Sequence, residues 1–372
     1  MTNLALYREY RPVTFDDVIG QEHIVKTLKN QIKNNAISHA YLFCGTRGIG
    51  KTSTARIFAK AINCENNQDG SPCLKCKTCE NLNNPSNLDI IEIDAASNNR
   101  VDEIRDLRDK VKYPPVNGKY KVYIVDEVHM LTDSAYNALL KTLEEPPSHA
   151  IFILCTTEVH KLPKTILSRC MRFDFRLVSC DDLEKLLVKI FNDKNISYEQ
   201  EALRLIASRG EGSVRDTLSL ADLCASFCNK NITYKGCLEA LGSSSIDSLD
   251  DITDSLIENN GEKLLTSLNN ISLSGKNFTI FTKELINHFK TLLTIKTVQN
   301  SQKLLMLPED VYSKLLKRAN AFSNSELLMF MTKLTSIETQ LKFSIDAQTL
   351  VEITLLDMLC EKKTDFDVTL RQ

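Results

Sequence analysis

No stretch of the sequence is apolar for the roughly 20 residues that a membrane-spanning helix needs, so a transmembrane protein is not expected. The opening residues, MTNLALYREYRPVTFDDV, hold no continuous apolar segment and no small-residue cleavage pattern, so a secretory leader is not expected either and the cytoplasm is the expected compartment. An excess of one charge is also missing. The formal net charge is −2, which argues against a protein that coats polyanions through bulk electrostatics and leaves only local contacts with nucleic acid. Internal repeats are absent, as are low-complexity tracts longer than a linker. What is present is 42% hydrophobic and 25% charged residues, close to the usage of globular domains. At 372 residues the chain exceeds one ordinary core and predicts two or three domains.

From HAYLFCG (39–45) onward, short apolar runs alternate with helix-period segments. LDIIEIDAAS (88–97), KVYIVDEVH (121–129) and AIFILCTT (150–157) suit strands buried on both faces of a parallel sheet, and the α/β domain they predict ends near RFDFR (172–176). Between Ser179 and Leu241 the pattern is helical alone, with LEKLLVKIF, EALRLIASR, SVRDTLSLADLCASF and YKGCLEAL placing apolar residues three and four apart. LGSSSIDSLDD (241–251) reads as a linker. Further amphipathic helices, without a catalytic motif, run to about Cys360, and the terminal KKTDFDVTLRQ reads as frayed.

GTRGIGKT (45–52) matches the phosphate-loop pattern G-x-x-x-x-G-K-[ST], following a strand and opening the helix TSTARIFAKAIN. Gly45, Gly48 and Gly50 allow the backbone of Gly45–Ser53, through Thr46, Arg47 and Ile49, to turn its N–H groups on phosphate oxygens at a helix N-terminus. Lys51 is expected to reach the β- and γ-phosphates of a nucleotide, and the Thr52 hydroxyl to ligate Mg²⁺. Downstream, the apolar strand VYIVDEVH ends on two carboxylates: Asp126 suits a Mg²⁺ contact and Glu127 suits polarising an attacking water. A lone acidic pair is ordinarily a solvated face; beside a phosphate loop it reads as the other half of a nucleotide-hydrolysing site.

Twelve cysteines in a reducing compartment predict metal ligands and small buried residues rather than disulfides. Cys64, Cys73, Cys76 and Cys79 fall within sixteen residues of turn-rich sequence and can close a tetrahedral zinc site with no open position, hence a structural one. Two alternatives stand beside zinc. An iron–sulfur cluster would use C-x₂-C-x₂-C, though the Cys-Pro completing that run is missing. Free thiols flanked by lysines would be reactive. The other eight, Cys44, Cys155, Cys170, Cys180, Cys224, Cys228, Cys237 and Cys360, are expected in the core.

The phosphate loop, the DEVH box, TTEVHKLPKTILSRC (156–170) and GSVRD (212–216), in this order, resemble an AAA+ ATPase. With YREYRPVTFDDVIGQEHIVKTL, IDAASNNRVDEIRDL and the four cysteines, the chain resembles the gamma/tau subunits of the bacterial DNA polymerase III clamp loader, densely over 4–242 and, over 243–360, mainly in helical pattern and length. The resemblance implies an AAA+ domain over 1–178 with a zinc module at 64–79, a helical lid domain over 179–242 and an all-helical collar domain over 243–368.

It also implies residue roles. Arg169 matches an arginine finger that enters a neighbouring subunit's ATP site. Arg215 matches a sensor arginine for the chain's own nucleotide, and Thr156 and Thr157 match the sensor-one strand end. Tyr7, Arg8, Arg11, Pro12, Val18 and Ile19 match the segment that wraps adenine, and Arg100, Arg105, Lys141 and Thr165 match DNA-contacting positions. The implied partners are delta- and delta-prime-type subunits and copies of the chain itself in a hetero-pentamer, a sliding clamp and primed DNA, with no membrane. The implied cofactors are ATP, Mg²⁺ and Zn²⁺. Two rival readings are an ATP-binding scaffold without turnover, which intact Lys51, Asp126, Glu127 and Arg169 oppose, and an AAA+ helicase or initiator, which should carry a DNA-binding module that is not evident.

Overall fold

A computed structural model describes residues 4–67, 69–82, 84, 87–97, 107, 109–241, 246–305, 309–341, 343–344 and 346–369. The chain forms two compact units, Met1–Cys237 and Leu238–Gln372.

In the first unit, β1 (Ala40–Cys44), β2 (Ile90–Asp94), β3 (Lys121–Asp126), β4 (Ala150–Thr156) and β5 (Met171–Asp174) form a parallel sheet in the order β2-β3-β4-β1-β5. Successive side chains of a strand point to opposite faces. Tyr41, Phe43, Val122, Ile124, Ile151 and Ile153 accordingly pack on one side with the helices Glu22–Lys33 and Lys51–Asn63. Leu42, Tyr123, Val125, Phe152 and Leu154 pack on the other with Leu139 and Leu143 of the helix Asp133–Glu144. Cover on both faces is why β1, β3 and β4 read as unbroken apolar runs; β2, expected to be buried likewise, lies at the sheet edge and is only half-buried, with Glu92 and Asp94 exposed. The register sets Asp94 level with Asp126 and Cys44 level with Thr156, so the carboxyl ends of β1 to β4 open on one rim.

Three helices follow the sheet: Cys180–Asp193, Gln200–Arg209 and Val214–Phe227. Ser179 and Ser213 cap the first and third by accepting from the Asp182 and Asp216 amides, each cap worth about 1 kcal/mol. The pattern is not helical alone, as expected from sequence: β6 (Ser197–Tyr198) and β7 (Asn231–Ile232) pair in parallel, a ladder too short to leave a periodic signal. The N-terminal turn Leu6–Glu9 is tied to these helices, its Leu6 amide donating to Asp222 Oδ2 at 2.7 Å and its Glu9 pairing with Lys194 at 2.5 Å.

The second unit is helical, and its core includes Leu285, Phe289, Leu292, Phe322 and Phe330. Phe289 and Phe330 ring centroids lie 5.4 Å apart, and Phe322 meets Phe330 edge-on at 5.6 Å. Two expectations are corrected here. The expected linker 241–251 is helical from Ile246, in a helix running to Ile257, because Leu249, Ile252 and Leu256 recur at helical spacing among the serines and aspartates and pack into the core; residues 242–245 lie outside the described ones. The terminal segment, expected to fray, continues the helix Ala347–Thr369, which no glycine or proline interrupts.

The eight scattered cysteines divide as well: Cys44, Cys155, Cys224 and Cys237 are buried, Cys170, Cys180 and Cys228 are half-buried, and Cys360 is exposed, on the outer side of the last helix. Among the described residues no helix is long and apolar enough to cross a membrane.

Candidate nucleotide site and metal centre

The loop between β1 and the helix Lys51–Asn63 turns through left-handed backbone at Gly45 (φ +143°), Gly48 (φ +79°) and Gly50 (φ +101°). A Cβ on Gly45 would lie 2.8 Å from the Phe175 carbonyl oxygen, and one on Gly48 would lie 2.1 Å from Ser213 Oγ. The cradle is therefore shaped by the absence of side chains, and it ends at a helix N-terminus whose first amides lack helical partners. Lys51 is only 5% exposed and donates from Nζ to the Gly45 and Thr46 carbonyls at 2.8 and 2.7 Å. Burial lowers its pKa, and the nearby Glu127 carboxylate opposes that. The Thr52 hydroxyl donates to Asp126 Oδ2 at 2.8 Å, which joins the two expected Mg²⁺ contacts in one hydrogen bond. Burial pushes the Asp126 carboxyl up, against the pull of the Thr52 hydrogen bond, so a cation placed there would favour its ionised form.

Glu127 follows at φ +46°, a left-handed conformation that costs a glutamate about 1–3 kcal/mol and that the surroundings must hold. Its Oε2 accepts from the Thr157 amide at 3.2 Å and the Thr157 hydroxyl at 3.0 Å. Thr156 is fully buried; its Oγ1 accepts from the Glu158 amide at 3.0 Å and lies 3.1 Å from His129 Nδ1. Of the two adjacent threonines, Thr157 reaches the acidic pair directly and Thr156 reaches it through the histidine.

These groups open on a cleft of about 840 Å³, which Tyr7, Arg8, Arg11, Pro12, Val18 and Ile19 line together with Arg47–Ser53, Asp126, Glu127 and Arg215. Gly45 and Thr46 contribute beneath it, through the carbonyls that hold Lys51. Arg11 Nε donates to Ser53 Oγ at 3.0 Å, fastening the N-terminal segment to the phosphate-loop helix. The Arg215 amide donates to the Gly48 carbonyl at 3.2 Å, and its guanidinium sits 5.1 Å from the Tyr7 ring centroid. Seven further lining residues escaped the sequence reading, among them Asp94, Leu186 and Leu218. Asp94 ends the run LDIIEID as Asp126 ends VYIVD, a parallel that was visible. The two leucines depend on how the helices pack, and no local signal marks them.

Arg169 does not line this cleft. Its Nη2 pairs with Glu144 at 2.8 Å and its Nη1 donates to the Thr165 carbonyl at 2.9 Å. Lys141 and Thr165 are exposed, on the helices Asp133–Glu144 and Lys164–Leu167. Arg100 and Arg105 lie outside the described residues.

The Sγ atoms of Cys64, Cys73, Cys76 and Cys79 all lie within 4.8 Å of one another. A tetrahedron with Zn–S bonds of about 2.3 Å sets sulfurs about 3.8 Å apart, and the Cys64–Cys76 separation is 4.0 Å. Backbone amides of Cys73, Cys76 and Cys79 donate to the sulfurs of Cys64, Cys73 and Cys76 at 3.3, 3.3 and 3.4 Å, an arrangement that favours thiolates. The buried cluster here consists of the cysteines themselves, so the donor set fits a structural metal standing where an apolar core would be. The neighbouring loop is pinned independently: buried Asp89 accepts from the Val116, Asn117 and Gly118 amides, and Asn63 Oδ1 from the Tyr120 amide at 2.7 Å.

Three family models match in sequence order. Residues 20–179 match the DNA polymerase III delta subunit, 182–230 the ATPase lid domain of a DNA polymerase III clamp loader subunit, and 233–365 domain III of DNA polymerase III subunits gamma and tau. DNA polymerase III subunit gamma of Buchnera aphidicola is 40% identical over 303 residues, covering 81% of this chain and 84% of that protein. The chain belongs to the gamma/tau family of DNA polymerase III clamp-loader subunits. Its gamma/tau relatives include subunit tau of Bacillus subtilis, 48% identical over 305 residues, covering 82% of this chain and 54% of that protein. The chain thus spans about half the length of several curated tau relatives it matches. Among solved structures, Thermotoga maritima RuvB, a Holliday junction branch migration motor, overlays with a TM-score of 0.49 at 18% identity, covering 67% of this chain and 80% of that one, which is too distant to bear on function. The family and the sheet together make the first unit an AAA+ domain with a four-cysteine cluster and a lid, followed by the helical domain III.

Proposed function

We propose that this gamma/tau subunit binds and hydrolyses Mg²⁺-ATP at an interface with a neighbouring subunit, and that this cycle opens a sliding clamp and loads it on primed DNA. One observation carries the reading: Lys51, Thr52, Asp126, Glu127 and Arg215 meet at one cleft while Arg169 stands outside it. In this reading Lys51 leaves its loop carbonyls for the β- and γ-phosphates, and Arg215 reads the phosphates from the lid. Thr52 and Asp126 would hold Mg²⁺, which would neutralise charge on the phosphate oxygens. Glu127 takes the proton of a water as it attacks the γ-phosphorus, the bond to the β,γ-bridging oxygen breaks, and ADP leaves. Tyr7, Arg8, Arg11, Pro12, Val18 and Ile19 enclose the adenine.

Arg169 would act in trans, so hydrolysis would report that the subunits are assembled. The proposed division is a nucleotide-binding domain over 1–178, a lid over 179–242 and a collar over 243–368 that joins delta- and delta-prime-type subunits and further copies of the chain. Cys64, Cys73, Cys76 and Cys79 would hold a structural Zn²⁺, Arg100, Arg105, Lys141 and Thr165 would face DNA, and the work would be cytoplasmic.

The test is steady-state ATP hydrolysis by the full chain reconstituted with its loader partners, with and without clamp and primed DNA. Clamp and DNA should stimulate the parent; Arg169→Ala should lose the stimulation while binding ATP normally, and Glu144→Ala, which only frees Arg169 from its ion pair, should keep it. Turnover indifferent to clamp and DNA in the parent would overturn the proposal.

A further inference from the structure

We infer that His129 is a positioning residue that fixes the Glu127 carboxylate against the end of β4. The inference rests on the reading of Glu127 as the group that takes the water proton. His129 lies in the single 3₁₀ turn Val128–Met130, directly after Glu127, and its side chain is 7% exposed. Its Nδ1 is 3.3 Å from Glu127 Oε2 and 3.1 Å from Thr156 Oγ1, and its Nε2 is 3.8 Å from Glu158 Oε1. Glu158 is itself held by Lys161 at 2.6 Å. The imidazole therefore bridges the turn that carries Glu127 to Thr156, the last residue of β4, and to Glu158 two positions on, beyond Val125 and Leu154, the last residues at which the two strands pair.

Glu127 needs such a hold. Its backbone is left-handed, and its carboxylate is drawn toward the ammonium of Lys51 across the cleft. Thr157 opposes that pull with two hydrogen bonds to Oε2, and His129 Nδ1 lies 3.3 Å from the same oxygen, on the side of the Glu127 turn. Without the ring, Thr157 alone opposes that pull, and a carboxylate that swings onto Lys51 leaves the water without its base and the phosphates without their lysine. A displacement of about 1 Å at a reacting group costs on the order of 100-fold in rate.

The test pairs His129→Leu, which removes the ring nitrogens, with His129→Asn, whose amide nitrogen falls near the position of Nδ1. In single-turnover hydrolysis by the reconstituted complex, the leucine variant should lose 10- to 100-fold in kcat with KM for ATP within threefold of the parent, and the asparagine variant should recover to within fivefold. A merely structural role would move KM, or the folded fraction, for both variants. Crystal structures of the nucleotide-free variants give the second readout: Glu127 should leave Thr157 in the leucine variant and stay in the asparagine variant. A leucine variant with parental kcat, or with Glu127 still on Thr157, overturns the inference. If the parent itself failed to hydrolyse ATP the proposed function would fall, and the position of Glu127 in the two crystals would still decide this one.

Discussion

Gly48→Ala tests how tightly the lid is seated on the phosphate loop. At φ +79° an alanine is strained by about 1 kcal/mol, as at any left-handed position. The new Cβ would also stand 2.1 Å from Ser213 Oγ and 3.2 Å from Arg215 Cβ, so the first turn of the helix Val214–Phe227 must retreat. Retreat loses the bond from the Arg215 amide to the Gly48 carbonyl, about 1 kcal/mol, and disturbs the Ser213 cap on the Asp216 amide, about another 1 kcal/mol. The expected loss is about 3 kcal/mol, which for a unit of this size lowers Tm by roughly 6–12 °C. Gly50→Ala is the internal standard: at φ +101° it carries comparable strain, yet no atom lies within 4 Å of its Cβ, so about 1 kcal/mol and roughly 2–4 °C are expected. Thermal unfolding of the nucleotide-free chain by circular dichroism reads both. In a Ser213→Gly background the cost of Gly48→Ala should fall toward that of Gly50→Ala, a coupling typical of residues in contact. Equal shifts for the two alanines in the parental background would refute the argument, because the Ser213 contact would then contribute nothing.

Two other outcomes follow from the site and the core. Cys76→Ser should lower the zinc content, read by elemental mass spectrometry, and raise amide exchange across 64–84 while leaving ATP affinity within a few-fold; mutant and parent with equal zinc would count against the cluster as a metal centre. His288 has its Nε2 buried without a hydrogen-bond partner, and burial, with Arg318 nearby and Asp254 opposing, lowers its pKa to about 4. The folded state therefore keeps the ring neutral where the unfolded chain, near 6.5, takes up a proton. Stability from this residue is full above about pH 6.5 and declines toward pH 4 by about 3 kcal/mol. Denaturant unfolding of the full chain at pH 7 and pH 5 should show that slope in the second unit's transition, and His288→Gln should flatten it; an unchanged slope would be contrary to a buried neutral ring.

Much of the nucleotide site was legible because its chemistry is local. A phosphate cradle needs glycines at fixed offsets before a lysine and a hydroxyl, and four thiolates closing one metal site need only a short turn-rich segment. The parallel sheet was legible for a similar reason, since strands covered on both faces cannot hide their apolar runs. The helix Ile246–Ile257 was missed because its serines and aspartates resemble a linker when read by composition, although Leu249, Ile252 and Leu256 keep the helical period, Ser255 is buried, and Asp250 and Asp254 pair with Arg318.

What sequence does not reveal is contact between distant segments, and in this chain such contacts join the lid to the loop. Leu6 and Asp222 are 216 positions apart, and Arg215 reaches back to Gly48. The N-terminal segment meets the phosphate-loop helix through Arg11 and Ser53 and meets the lid helices through Leu6 and Glu9. Three separate stretches of chain thus close the cleft, joined among the described residues by hydrogen bonds such as these, by the Glu9–Lys194 ion pair and by the buried Leu6 side chain. Net hydrogen bonds of about 1 kcal/mol each are strong enough to set one arrangement of lid and loop and weak enough for a bound anion at Gly48–Thr52 to replace it. A charge that settled on the phosphate loop would lie one backbone hydrogen bond away from Arg215.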